Sequence, residues 1–329
     1  MPPLKRIKKA LQTVTLRHAP AVPLDGRVVA ILSRKRSLYS TRRLVEAVKA
    51  RGQRVLVLDT LRCNLILSRG EPRMTYRGVA LRNVDVVIPR IGASITGYGL
   101  AVVNQFDMMG VAVLNNSVPI ARSRDKLRCL QLLARFGLDI PRTVMARDRS
   151  NVARLLKDVG GLPAIVKLIR GTQGVGVMLA STLGELEGIL ATFSDLGQDI
   201  VLQEFIAESR GRDVRALVVG DRVVAAMRRR AKRGEFRSNL HRGGRGKAVK
   251  LGPAYLQAAV SAARIVGLEV AGVDMLETRE GPKVMEVNSS PGFEGLERAT
   301  GVDIAGAIID HALAVAQAQR EGAGRRRVI

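Results

Sequence analysis

Residues 272–293 constrain this chain more than any other stretch. They read G-V-D-M-L-E-T-R-E-G-P-K-V-M-E-V-N-S-S-P-G-F. Residues 273–276 are apolar around one carboxylate, and residues 284–288 form a second apolar run carrying Glu286 and Asn288. Arg279-Glu280-Gly281-Pro282 between them has the chemistry of a turn. The pattern predicts two paired strands. Side chains two apart on a strand share a face, so Glu286 and Asn288 point the same way. Pairing across the turn lets Asp274 join them. Three hard oxygen donors without His or Cys suit Mg²⁺ or Mn²⁺. The plainer reading is a polar, wet sheet face. It is the weaker one, because acids set deep in apolar runs need partners.

The rest of the chain must supply a core for those strands. Its 329 residues suffice for two or three domains. Hydrophobic residues make up 47% but aromatics only 3%, with no Trp, so that core must be aliphatic. No apolar run reaches membrane-spanning length. Cys63 and Cys129 give neither a metal spacing nor a disulfide framework, so a reducing cytosol is the expected compartment. The net charge of +25 favours polyanionic company such as nucleic acid, a ribosome, nucleotides or acidic peptides. An arginine-rich proteome would account for part of that bias.

Residues 1–26 carry Lys5, Arg6, Lys8, Lys9 and Arg17 against one acid, Asp25, and read as a flexible basic arm. From residue 27, apolar runs at 28–32, 55–58, 84–88 and 111–114 alternate with helical segments, the pattern of a small parallel α/β domain. No G-x-G-x-x-G follows its first strand, which argues against a dinucleotide site. Arg90 stands just after a strand, where it meets an anion or simply lies at the surface. Ser123-Arg124-Asp125-Lys126 opens a helix and puts Lys126 in its first turn.

Lys167 lies inside the apolar run at 163–169 and faces a ligand or snorkels from an edge. Arg170-Gly171-Thr172-Gln173-Gly174-Val175-Gly176 follows. Its glycines let backbone N–H groups turn toward phosphates, although no Gly-Lys-Ser/Thr follows, so it is not a Walker A loop. Residues 200–206 form a strand running into Glu204 and Phe205. Residues 216–219 and 223–227 predict a hairpin about Gly220-Asp221 that delivers Arg228, Arg229 and Arg230. Residues 236–244 hold anion anchors, Arg237, Ser238, Asn239 and His241 among them. Helices are expected over 253–266 and 303–317. No Ser-His-Asp arrangement is legible, and three histidines leave little scope for a histidine metal site.

Taken together, R-D-K-L-R, K-L-I-R-G-T-Q-G-V-G-V, F-R-S-N-L-H-R-G-G, A-G-V-D and M-E-V-N-S-S-P-G resemble the RimK family of ATP-grasp ligases across residues 27–318. The resemblance implies an α/β (α+β) ATP-grasp fold preceded by a small parallel α/β domain. Its divisions would be a basic extension (1–26), the N-terminal domain (27–122), a central lid domain (123–206), a catalytic domain (207–318) and a basic tail (319–329). It implies ATP as cofactor with Mg²⁺ or Mn²⁺, two ions in number. Lys126, Lys167, Gly171, Thr172, Gln173, Gly174 and Gly176 would hold the phosphates. Glu204 and Phe205 would border the adenine, Phe205 standing where relatives often have Tyr. Asp213 would take the ribose, and Arg237, Ser238 and Asn239 would line the nucleotide and acceptor pocket. Asp274, Glu286 and Asn288 would bind metal. Arg229, Arg237 and Asn239 are the catalytic candidates, Arg229 for a tetrahedral oxyanion. Arg228 stands where a close relative has an acid.

The activity implied is ATP-dependent addition of L-glutamate to the acidic C-terminus of an acceptor, a small-subunit ribosomal protein. A carboxylate attacks the γ-phosphoryl to give an acyl phosphate, which the glutamate amine then attacks. The basic ends would contact the ribosome, no membrane partner is expected, and a homo-oligomer is left open. Two other readings compete. One is a ligase of the same fold acting on a small molecule or carrier protein. The other is a ribosome- or RNA-binding protein with a relic nucleotide site, which the scarcity of stacking aromatics disfavours.

Overall fold

The computed structural model describes residues 26–145, 151–168, 176–195, 200–232, 234–237 and 243–326. The expected basic arm, most of the Gly-rich loop (Gly171, Thr172, Gln173, Gly174) and Ser238, Asn239 and His241 lie outside them.

The chain opens with β1 (Val28–Leu32), α1 (Tyr39–Ala50) and β2 (Arg54–Leu58). Next come a small antiparallel sheet of β3 (Cys63–Ile66), β4 (Arg73–Tyr76) and β5 (Val79–Ala80), then β6 (Val86–Pro89), α2 (Thr96–Met108) and β7 (Ala112–Val113). The main strands form a parallel sheet in the order β2-β1-β6-β7. β1 is buried on both faces, which is why it reads as an unbroken apolar run.

Two helices meet end to end at Asp125. α3 (Ser117–Arg124) stops there, and α4 (Lys126–Arg135) starts there. Asp125 is extended, and its carboxylate accepts from the Arg128 N–H at 3.0 Å, so it caps the second helix. The single helix expected from Ser123 is therefore two. β8 (Thr143–Met145), α5 (Val152–Asp158), β9 (Ala164–Leu168), β10 (Val177–Ala180), α6 (Leu183–Asp195) and β11 (Ile200–Glu204) build a four-stranded antiparallel sheet, ordered β10-β9-β11-β8.

The fourth sheet is antiparallel and five-stranded. β12 (Arg212–Val219) and β13 (Arg222–Arg230) form the expected hairpin, longer than the sequence suggested. β14 (Arg245–Ala248) lies at the edge, α7 (Pro253–Val266) follows, and β15 (Val270–Thr278) and β16 (Gly281–Asn288) turn at Arg279-Glu280. The order is β14-β13-β12-β15-β16. α8 (Glu294–Thr300) and α9 (Ile304–Arg326) close the chain. α9 runs past the expected end at residue 317 into the segment read as a tail. Ala, Gln, Arg and Glu there are good helix formers, and the Gln319 amide donates to the Gly110 carbonyl at 3.1 Å. No single helix among the described residues is long and apolar enough to cross a membrane.

Core organisation decides what is held firmly. Val29 and Ile31 of β1, Leu217 and Val219 of β12, and Ile304, Ile308 and Ile309 of α9 belong to one apolar cluster. The parallel and five-stranded sheets thus share a core. The four-stranded sheet has its own, around Val166, Leu186, Leu190 and Leu202. The opposite face of the five-stranded sheet packs Val214, Ala216, Val273 and Val287 against Ala259, Ala262 and Val266 of α7.

Candidate active site

Strand alternation builds one wall of the site. On β12, Leu217 and Val219 share a face with Asp213 and Arg215. Toward α9 that face is apolar, and toward the other end it is charged. Register then sets a row of charged side chains across the sheet. Asp213 pairs with Arg229 of β13, Arg215 with Asp274 of β15, and Asp274 with Glu286 of β16. Gly272 pairs with Asn288, so the three expected metal ligands do share one face. A ladder irregularity after Asp274 puts Met285 in excess and keeps Asp274 level with Glu286.

The side chains divide into bound and unbound. Arg215 Nε donates to Asp274 Oδ1 at 2.7 Å and its Nη2 to Oδ2 at 2.6 Å. Arg229 Nη2 lies 3.0 Å from Asp274 Oδ2, and its Nε donates to Asp213 Oδ1 at 2.6 Å. Asp213, Asp274 and Arg229 are buried. Burial opposes ionisation of Asp274, but the charges and hydrogen bonds of Arg215 and Arg229 outweigh it and hold the carboxyl below its ordinary range. Burial likewise opposes the charge of Arg229, and Asp274 and Asp213 outweigh it. Glu286 has no ion pair or hydrogen bond among the described residues. The Asn288 amide nitrogen is buried without a partner there.

This donor set fits a hard divalent cation. Glu286 offers a free carboxylate, and Asn288 an amide not fixed by any protein acceptor. A carboxylate has about four lone-pair positions, and the arginines take three on Asp274, leaving Oδ1 able to accept once more. No group of three or more His, Cys, Asp or Glu among the described residues could hold a metal, so the amide of Asn288 completes the set.

The opposite wall is cationic. Lys167 on β9 donates to the Gln203 side chain at 2.5 Å, and the Gln203 amide donates to Thr143 Oγ1 at 2.8 Å. Burial pushes the Lys167 ammonium down to about 8, Glu286 pulls it back up, and Lys126 pushes it further down. Lys126 begins α4 and lines the same cleft. Glu204 and Phe205 border it where β11 ends. The Glu204 carboxylate accepts from the Arg142 N–H at 3.0 Å and from the Arg142 guanidinium at 3.2 Å, and Lys283 lies 3.7 Å away. Burial raises its pKa, but the Arg142 hydrogen bonds and the Lys283 charge outweigh that and leave it lowered. Its side chain is thus engaged, and the backbone groups beyond Glu204 are what the hinge offers a ligand.

Arg237 also lines the cleft. It pairs with Glu235, Nε donating at 2.9 Å and Nη2 at 2.8 Å, and holds that carboxyl down at about 2. Gly176, the described end of the Gly-rich loop, has a φ of +74°, and a Cβ there would meet the Leu168 side chain at 2.6 Å. Cys129 lines the cleft too, but burial pushes its thiol up to about 12, which leaves no thiolate nucleophile. Arg228 does not join this site. Alternation sends it to the other face, where it pairs with Glu277 at 2.6 and 2.8 Å, so the triple arginine is not one patch. Sequence reading gave Arg215 no role. The signal was Asp213-Val214-Arg215, a carboxylate and a guanidinium two apart on a strand.

The cleft, about 750 Å³, lies between the four-stranded and five-stranded sheets, with Leu38, Tyr39 and Ser40 of the N-terminal domain on its lining. Two lysines and a hinge on one side, and hard oxygen donors on the other, make an arrangement that suits a phosphate ligand with a divalent cation. The RimK-like ATP-grasp domain model matches residues 123–312 and the RimK PreATP-grasp domain model residues 28–120. The chain belongs to this family of ATP-dependent ligases, that of the alpha-L-glutamate ligases. A relative from Ectopseudomonas mendocina, named Probable alpha-L-glutamate ligase, is 54% identical over 283 residues, 86% of this chain and 94% of its own length. A namesake from Rhodopirellula baltica is 56% identical over 86% of this chain and 70% of its own. Among solved structures, the ATP-grasp ligase PsnB complexed with minimal precursor superposes with a TM-score of 0.71 at 25% identity, covering 89% of this chain and all of that one (100%). D-alanine–D-alanine ligase from Bacillus anthracis shares the fold, with a TM-score of 0.66 at 16% identity over 90% of this chain and 99% of its own.

Proposed function

We propose that this ligase adds L-glutamate to the C-terminal carboxylate of an acidic acceptor, a small-subunit ribosomal protein, through an acyl phosphate. One observation carries the reading: a single cleft sets the cations Lys126 and Lys167 against the oxygen donors Glu286, Asn288 and Asp274.

Lys126 and Lys167 hold phosphate oxygens and offset the charge that builds on them during transfer. Glu286, Asn288 and Asp274 are the residues that would hold Mg²⁺, which would add further charge neutralisation at the phosphates. The acceptor carboxylate displaces ADP, and its oxygen becomes bonded to phosphorus. The glutamate amine then adds to the acyl carbon, and phosphate leaves with that oxygen. Arg229 steadies the tetrahedral oxyanion. Its own position is fixed by Asp213 and Asp274, so it needs no reorganisation at that step. Arg210, Arg212 and Arg298, exposed on the cleft lining, favour an acidic acceptor by charge.

The direct test is intact mass of purified small-subunit ribosomal proteins after incubation with enzyme, ATP, Mg²⁺ and glutamate. One protein should gain whole glutamyl residues. An unchanged set of masses, with ATP consumed, would refute the acceptor assignment.

A further inference from the structure

Two arginines beside the cleft have no ion pair among the described residues. Arg90 follows β6, at the carboxyl end of the parallel sheet, where open α/β sheets receive ligands. It is half-buried, its Nη2 donates to the Pro291 carbonyl at 2.7 Å, and its guanidinium lies 5.8 Å from the centre of the Phe293 ring. Arg124 ends α3, beside the cleft residues Ser123 and Lys126. Its Nη2 donates to the Ile91 carbonyl, and its Nε is buried without a partner among the described residues. Neither arginine has an ion pair there.

Such an arrangement is costly in a folded protein. Buried guanidiniums are ordinarily matched by carboxylates, as Arg229 is by Asp213 and Asp274. Here burial and the like charge of Arg124 together push Arg90 down to about 10. A buried N–H without an acceptor adds a further penalty. Bracing the Pro291 and Ile91 carbonyls would need only neutral donors. An anion entering the crevice would relieve both the charge and the orphaned Nε, and planar guanidiniums suit a carboxylate.

We propose that Arg90 and Arg124 form a carboxylate subsite that holds the terminal carboxylate of the acceptor beside the phosphoryl site. This rests on the ligase reading above and specifies which protein groups select the acceptor's end. Pro291, whose carbonyl accepts from Arg90, and Ser123, which precedes Arg124, line the same cleft as Glu286 and Asn288, so the subsite adjoins the proposed metal face. An acceptor bound there meets the phosphoryl group with its carboxylate already desolvated and oriented.

The test is binding of acetyl-tetraglutamate, as the free acid and as the C-terminal amide, to full-length enzyme loaded with Mg²⁺ and a non-hydrolysable ATP analogue. Wild type should prefer the free acid at least about tenfold, the worth of one charge-assisted contact. Arg90→Gln and Arg124→Gln should each lose that preference while binding the amide and the nucleotide as wild type does. Equal binding of acid and amide by wild type overturns the proposal, as does a preference that survives in both variants. Loss of nucleotide binding in both variants makes the pair structural and also overturns it. If free glutamate binding, and not that of the peptide, depends on Arg90, the assignment to the acceptor is wrong. Glutamyl transfer is measured separately, so transfer that continues with an unchanged preference defeats the subsite and leaves the ligase reading standing.

Discussion

On the five-stranded sheet, Arg215 and Arg229 each have a carboxylate oxygen within 3.0 Å. Across the cleft on the four-stranded sheet, Lys167 has the neutral amide of Gln203. The first wall balances its buried charges internally and belongs to a sheet whose core is shared with the N-terminal domain. The second carries a cation with no ion pair among the described residues, on a sheet with a separate, smaller core. The difference teaches which groups are scaffold and which await a ligand. Compensated charges hold geometry before any substrate arrives, and uncompensated ones gain most from an anion. Glu286 is the exception on the first wall: it has no ion pair among the described residues, which fits the metal role proposed for it.

The comparison breaks most sharply at Glu286. Glu286→Gln should lower the rate of ADP release by about 10³-fold with all substrates saturating, a loss of about 4 kcal/mol in the transition state. Its melting temperature should stay near that of wild type, because no protein partner is lost. Wild-type turnover in a metal-controlled assay would remove Glu286 from the site.

Arg229→Met should do the reverse and act first on stability. It removes the Arg229 charge from the buried carboxylates Asp213 and Asp274, which costs about 3 kcal/mol. Urea unfolding at neutral pH measures it, and a loss below about 1 kcal/mol would mean that the network does not hold the wall.

The smallest effect is at Lys167. Its pKa in the folded chain is lowered to about 8, so the unfolded chain binds more protons between that pH and the ordinary lysine value. Its contribution to stability therefore rises with pH across that window, and at lower pH the buried charge is a cost. Nucleotide phosphates reverse the preference. ATP binding should take up to about one proton just above pH 8 and weaken by at most about tenfold per pH unit. Calorimetry in buffers of different ionisation enthalpy reads that uptake, and Lys167→Met should abolish it.

The metal face was legible in part. Glu286 and Asn288 could be placed on one face from spacing alone, but Asp274 joins them only because the ladder irregularity sets Met285 aside, which the sequence does not show. The compensation of Asp274 was not legible, since Arg215 reaches it by a pairing of strands 59 residues apart. Likewise, Arg228 and Arg229 look alike in sequence; alternation sends them to opposite faces, and only the pairing of β13 with β12 sets Arg229 against Asp213. β14 left no apolar signal because all four residues are exposed at an edge. The break at Asp125 was hidden because Asp125 caps one helix while ending another.

The central claim is that the two walls together activate a carboxylate. Acceptor labelled with ¹⁸O in its terminal carboxylate, incubated with enzyme, ATP, Mg²⁺ and glutamate, tests it most directly. An acyl phosphate carries one carboxylate oxygen into inorganic phosphate, so labelled phosphate should appear in proportion to amide formed, and none when that carboxylate is blocked as an amide. Amide formation with unlabelled phosphate would contradict the account.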